Sequence, residues 1–390
     1  MASLSTLRTL ELMQGRGAGD SFPVRSLVTA LARLTQLAEL EWRWYEDDGG
    51  AVPEPLPSLP TTLTRLVLVV SDGTACTLVS GLACLSRLSD LSLQGAVWGG
   101  TEVLAQALGH LTALTVLHLN GNGLAFDGLE ALALALGHLS RLADLRLADS
   151  IVGDAGAAAL AAPIARLTAL TALDLSRNHV WNAGAEALAP ALCHLSQLAV
   201  LRLAANSVGP GGAAALASAL GHLTALTRLD LSENRFGADG AMALAPGLGR
   251  LSRLAALHLR ESKLGPAGAA ALASHIAPQT TLTLLELGGN RLGADGAVSL
   301  APALGHLPQL EFLDLSATGL GAAGAAALAA PIALLTALTL LRLGGNGIGA
   351  AGAAALAPAL GRLTALRSCT STTTTSAVTA CSSWYPRSRT

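Results

Sequence analysis

Residues 170–195 read LTALDLSRNHVWNAGAEALAPALCHL, and the two halves of this stretch have different hydrophobic periods. In the first half Leu173 and Leu175 alternate with Ala172, Asp174 and Ser176, which predicts a short strand with one apolar face. In the second half Ala185, Leu188 and Leu192 fall at i, i+3 and i+7 among strong helix formers, which predicts a short helix. The unit repeats: Leu-x-x-Leu-x-Leu starts at Leu114, Leu142, Leu170, Leu198, Leu226, Leu254, Leu282, Leu310 and Leu338, always at an interval of 28. Looser copies start at Leu7, Leu37 (with Trp42 as the third apolar residue), Leu63 and Leu88, and a stub starts at Leu366.

Thirteen such motifs describe one solenoid rather than several domains. Stacked units place parallel strands about 4.8 Å apart on one side and helices roughly 8 to 10 Å apart on the other, so the expected stack curves into a horseshoe with the sheet concave. The expected fold class is therefore α/β, with about 13 repeats. Three parts are expected: irregular repeats over 1–87, regular repeats over 88–366, and a Ser/Thr-rich segment over 367–390. That last segment, RSCTSTTTTSAVTACSSWYPRSRT, holds no Leu; it reads either as a disordered tail or as the product of an altered reading frame.

Three columns of the stack have mechanical readings. Asn122, Asn178, Asn206, Asn234, Asn290 and Asn346 stand three residues after the last strand Leu, with Ser150, Ser262 and Thr318 in the remaining turns. A side-chain amide there can satisfy backbone groups as the chain leaves the sheet. Gly128, Gly156, Gly184, Gly212, Gly240, Gly268, Gly296, Gly324 and Gly352 hold the helix entrance, where a Cβ would block close packing. Pro190, Pro246, Pro302 and Pro358 fall inside the helical half and predict helices that are short or kinked there.

The pattern LxxLxLxxN followed by xLGxxGAxxLAxAL resembles the ribonuclease-inhibitor-like class of leucine-rich repeats, the class also found in NLR-type immune receptors and in the Ran GTPase-activating protein. The resemblance is close over 88–366 and loose over 1–87. It implies a non-enzymatic scaffold that binds a protein partner through the concave sheet and adjoining loops. Two alternatives follow from the same class: a GTPase-activating or other signalling-regulator solenoid, for which Arg177 and Arg235 lie near suitable turns, and the repeat fragment of an NLR-like receptor. The chain departs from ribonuclease inhibitor in its five cysteines and its fixed interval of 28, so inhibition of a ribonuclease is not carried over.

Composition narrows the function classes. Lys and Arg total 24 against 26 Asp and Glu, a formal charge of -2, so nucleic acid is not an expected partner. Hydrophobic residues reach 51% and mean hydropathy is +0.51, yet the apolar positions are periodic and interrupted, so no membrane span is expected. The five cysteines show no ligand spacing, and the opening MASLSTLRTLEL lacks the features of a secretory signal. A cytoplasmic protein, with cytoskeletal association as a variant, is the expectation, without cofactor or metal. The GHL-type histidines His110, His138, His194, His222 and His306 share their column with Arg166, Arg250 and Arg362, which suits helix C-termini better than a metal.

Candidate binding residues lie in two places. The outward column between the second and third strand Leu reads His118, Arg146, Asp174, Arg202, Asp230, His258, Glu286, Asp314, Arg342. Its signs alternate from Arg146 to Asp230, as in a self-paired ladder. From Asp230 to Asp314 three carboxylates surround His258 with Arg342 only at the end, a candidate dock for a basic segment; Glu233 and Glu261 would enlarge it and Arg228 and Arg260 would dilute it. The column also predicts opposite charges beside His258 and a like charge, Arg146, beside His118. The second place is aromatic: Trp44, Tyr45 and Trp181, the last standing where most copies have Gly. Trp42 reads as core, whereas Trp44 has both a core and an interface reading.

Overall fold

The computed structural model describes residues 7–14, 31, 33–44, 59–70, 81–95, 101–124 and 126–370. The chain divides into two compact units, Met1–Val180 with Pro190–Leu198, and Trp181–Ala189 with Ala199–Thr390. In the first unit β1 (Thr9–Gln14), β2 (Glu39–Trp44), β3 (Arg65–Val70), β4 (Asp90–Gln94), β5 (Val116–His118), β6 (Asp144–Arg146) and β7 (Ala172–Asp174) pair in chain order, all parallel. In the second unit β8 (Val200–Arg202), β9 (Arg228–Asp230), β10 (Ala256–His258), β11 (Leu284–Glu286), β12 (Phe312–Asp314), β13 (Leu340–Arg342) and β14 (Ser368–Thr370) do the same.

Between consecutive regular strands runs one helix, such as Gly237–Leu248, Gly265–Ile276 and Gly293–Leu304 in the second unit, each packed on the next. Leu257, Leu259, Leu264, Leu272 and Ile276 of one such repeat are all at most 1% exposed. Each contributes roughly 1.5–3 kcal/mol by leaving water, against the entropy of ordering its short strand and helix. The glycine column is steric as expected: a Cβ on Gly212 would lie 2.9 Å from the Cβ of Ala185, and one on Gly240 would lie 2.8 Å from the Cβ of Phe236.

The prolines fall in the last turn of short helices: Gly237–Leu248 and Gly293–Leu304, 12 residues each, end two residues past Pro246 and Pro302. Both rings are exposed there, where the carbonyl that loses its N–H partner is close to water. One expectation needs correction: the stack runs past residue 366, because β14 pairs with β13 with Cys369 opposite Leu341. Backbone pairing requires no Leu, and a thiol serves as a small apolar group in its place. The rest of the Ser/Thr-rich segment, 371–390, lies outside the described residues.

Candidate functional site

The asparagine column is the scaffold on which any site is mounted. Asn290 is fully buried; its Nδ2 donates to the carbonyls of Leu259 at 2.7 Å and Leu287 at 2.8 Å, while its Oδ1 accepts from the N–H of Ser262 at 2.8 Å. Asn346 repeats this with Leu315, Leu343 and Thr318, and Asn234 reaches Leu203, Leu231 and Val208. Asn178 joins Leu147 and Ser150 in the first unit, and Asn122 donates to Leu93. Asn206 donates to Leu203 at 3.0 Å. These turns are thereby fixed, and so are the side chains they carry.

On the sheet face of the second unit the register sets His258 opposite Asp230 and Glu286, Glu286 opposite Asp314, and Asp314 opposite Arg342. His258, only 6% exposed, is joined through Nδ1 to Glu286 Oε2 at 2.6 Å. That contact holds the Glu286 carboxyl below its ordinary value; burial opposes the shift and the nearby Arg260 and Arg342 add to it. Asp314 is fully buried, its Oδ1 accepting from the N–H and Oγ of Ser316 at 2.8 and 2.5 Å. Its Oδ2 lies 3.4 Å from Arg260 and 3.8 Å from Arg342, ion pairs rather than hydrogen bonds. Arg342 also covers the ring of Phe312 at 5.1 Å.

The expected acidic excess is therefore largely neutralised. Glu286 is spent on His258, and Asp314 is beneath the surface with two guanidinium groups over it. Gly288 explains the depth of Asp314: a Cβ there would come within 3.2 Å of its Oδ1. The column pattern could not show this, because Gly288 occupies a place that other copies fill with Arg260, Ser232 or Ser316.

The first unit carries a different cluster. His118 has Arg146 opposite in register, but Asp144 comes between them: its Oδ2 is 3.2 Å from His118 Nε2 and 2.7 Å from an Arg146 N–H, and its Oδ1 accepts a second Arg146 N–H at 3.0 Å. The expected like-charge neighbour of His118 is thus screened by a carboxylate. Burial pushes the Asp144 carboxyl up, but its contacts with His118 and Arg146 outweigh that and leave it below the usual range.

A further feature was missed at the sequence level. The first outward position of β11, β12 and β13 holds Leu284, Phe312 and Leu340, in register and half-buried, beside Glu286 and Arg342. The signal was present as apolar residues at a strand position that elsewhere carries Asp144 or Arg228. Of the aromatic candidates, Trp181 is 51% exposed with Arg235 over its ring at 5.3 Å. Trp42 is core at 4% exposure. Trp44 ends β2, but its side chain and all of Tyr45 lie outside the described residues. The GHL-type His306 turns its Nδ1 to the Pro302 carbonyl at 2.8 Å, a helix-end contact. Among the described residues no three His, Cys, Asp or Glu side chains are grouped to hold a metal, and no helix is long and apolar enough to cross a membrane.

Parallel strands in chain order, one helix per regular repeat and a buried Asn in most of the regular turns define the class: an α/β leucine-rich-repeat solenoid. Five stretches, 110–133, 167–189, 222–245, 279–301 and 335–357, match the family model described as Leucine Rich repeat. Among solved structures the chain is similar to an internalin from Listeria monocytogenes, at 21% identity and a TM-score of 0.51, covering 81% of this chain and 84% of that one. No curated protein matches the sequence.

Proposed function

We propose that this chain is a non-enzymatic protein-interaction scaffold of the ribonuclease-inhibitor-like kind, acting in the cytoplasm. The observation that carries the scaffold reading is the strip Leu284, Phe312 and Leu340 on the sheet face of the second unit, bordered by Glu286 and Arg342. A half-exposed apolar centre with a charged border is the anatomy of a protein interface, and folding alone has no use for three large apolar side chains on that face. The subclass is supported by a helix in every regular repeat. The free thiols Cys84, Cys193 and Cys369 suit a reducing compartment.

The test is affinity capture from the native cell with the full chain and with Phe312→Asp, both checked for equal thermal stability. A partner recovered by the parent and lost by the variant is the expected result, since a charge at the centre of an interface costs about 2 kcal/mol or more. Equal recovery by both chains would remove the sheet face from the proposal.

A further inference from the structure

The helix side of the first unit carries a cleft that the repeat pattern does not require. It lies between helices Thr101–Leu108 and Phe126–Leu136 and encloses about 760 Å³. That is within the range of ligand-binding clefts, roughly 300 to 1,000 Å³. Ala105, Ala131 and Ala135 line its apolar part, and Glu102, Asp127 and Glu130, all exposed, supply its charge. His110 and His138 line it just past the helix ends. Leu134 lines it too, and is 76% exposed.

The charge of this cleft is of one sign and is not met within the chain. Residues 88–140 contain no Lys or Arg. Of the carboxylates in that stretch, Asp90 is 3.4 Å from Arg65 on the sheet, whereas Glu102, Asp127 and Glu130 have no ion pair among the described residues. Glu102 and Asp127 stand in first helical turns, where the positive helix end favours them. Glu130 lies beyond the first turn and gains nothing there. It takes the place of Glu102 one repeat later, so two like charges stand one helix spacing, roughly 8 to 10 Å, apart. Later repeats mostly fill that place with Ala, as at Ala158, Ala214 and Ala270. Leu134 is equally out of pattern, since its place holds Ala162, Pro190, Ser218 and Pro246 in the repeats that follow. The fold makes little use of either side chain.

A segment that is both cationic and apolar answers the two features together. We propose that the cleft between helices Thr101–Leu108 and Phe126–Leu136 docks a basic amphipathic helix of a protein partner. The inference rests on the scaffold reading and adds to it a second docking surface, away from the sheet. Charge complementarity sets the sign of the occupant: a cation seated between Glu102 and Glu130 comes within about 4 to 5 Å of each. Leu134 follows Glu130 by four residues and so lies one turn along the same helix face. The occupant therefore needs an Arg or Lys one helical turn from an apolar residue, the spacing that a helix laid in a groove presents. The sheet face of the second unit does not offer this sign of charge, because Glu286 is joined to His258 and Asp314 is paired with Arg260 and Arg342.

The experiment is fluorescence anisotropy of the full chain with a labelled helical peptide carrying Arg and Leu four residues apart on one face, beside the same peptide with Glu in place of Arg, and with spermidine as a competitor. The Arg peptide is expected to bind, more weakly as salt rises, and the Glu peptide not to bind. Combined Glu102→Lys and Glu130→Lys should weaken the Arg peptide at least about tenfold, and Leu134→Ser about fivefold. Combined Glu186→Lys and Asp239→Lys, the same change of charge at exposed carboxylates on later helices, should leave it within about twofold. Circular dichroism melts of all variants establish that they are folded. Absent binding of the Arg peptide, equal loss in the two double variants, an unaffected Leu134→Ser, or displacement of the peptide by an equal concentration of spermidine would each overturn the assignment. Phe312→Asp should bind the Arg peptide as the parent does. If the parent fails to bind that peptide while Phe312→Asp still loses the native partner, this inference fails and the scaffold reading stands.

Discussion

The two histidine–carboxylate clusters are built from the same repeat and behave as different environments. In the first unit His118, Asp144 and Arg146 have side chains 22%, 19% and 37% exposed, and the carboxylate is gripped by the Arg of its own strand. In the second, His258 and Glu286 are 8% and 16% exposed, joined straight across two strands, with Asp314 at 0% one strand further on. The difference teaches that the outward column is not one surface. Asp144 pairs with the Arg two residues along its own strand and stays near water, whereas Asp314, beside the space that Gly288 leaves, sinks.

The sharpest way to break this contrast is to remove the sunken carboxylate. Asp314→Ala should cost about 3 kcal/mol, since it leaves Arg260 and Arg342 facing each other over an empty place and frees the Ser316 donors. Asp144→Ala should cost about 1 kcal/mol or less in the wetter cluster. Urea midpoints of the two variants should therefore be well separated, and coincident midpoints would show that burial does not distinguish the clusters. Next in size is Asn290→Ala, predicted to cost about 2–3 kcal/mol because buried carbonyls and an N–H lose their partner together. Its midpoint calibrates the others against a purely structural loss.

A smaller effect concerns acid. Glu286 and Asp144 both lie below their ordinary values of 4.5 and 3.8 in the folded chain. Each therefore contributes stability that is full above its unfolded value and lost as pH falls through the lower folded one. Glu286→Gln should flatten the stability profile below about pH 4.5, and Asp144→Asn should do so at lower pH. Denaturant titrations across the acid range would contradict the assignment if Glu286→Gln kept the parent slope. Smallest of all, His118→Gln should change stability by under about 1 kcal/mol, because Asp144 retains both Arg146 hydrogen bonds.

The fold was legible because its determinants are inward-facing and strictly spaced: a Leu that must be buried leaves no freedom of register. The Asn column was legible for the same reason, and Asn290 and Asn346 make the bonds that the spacing predicts. The charge clusters were legible only along straight rows. Asp144 reaches His118 diagonally, and Arg260 reaches across to Asp314, contacts set by side-chain length rather than by column. Gly288 acts through what it lacks, and the strip of Leu284, Phe312 and Leu340 was hidden because attention to charge passes over apolar residues on an outward face.

The long-range bonds of Asn290 and Asn346 run in one direction. Asn290 serves the Leu259 carbonyl and the Ser262 N–H, 31 and 28 residues earlier, and Asn346 serves Leu315 and Thr318 in the same sense. Part of the bonding of each of these two turns is thus supplied by the repeat that follows it. On a ribosome the consequence is temporal. A newly made turn waits for the next 28 residues before its buried groups are satisfied, a delay of about 1 to 6 seconds at ordinary rates of synthesis. Maturation of such turns then advances behind translation with a fixed lag of one repeat, and a stalled chain carries one unfinished turn at its growing end.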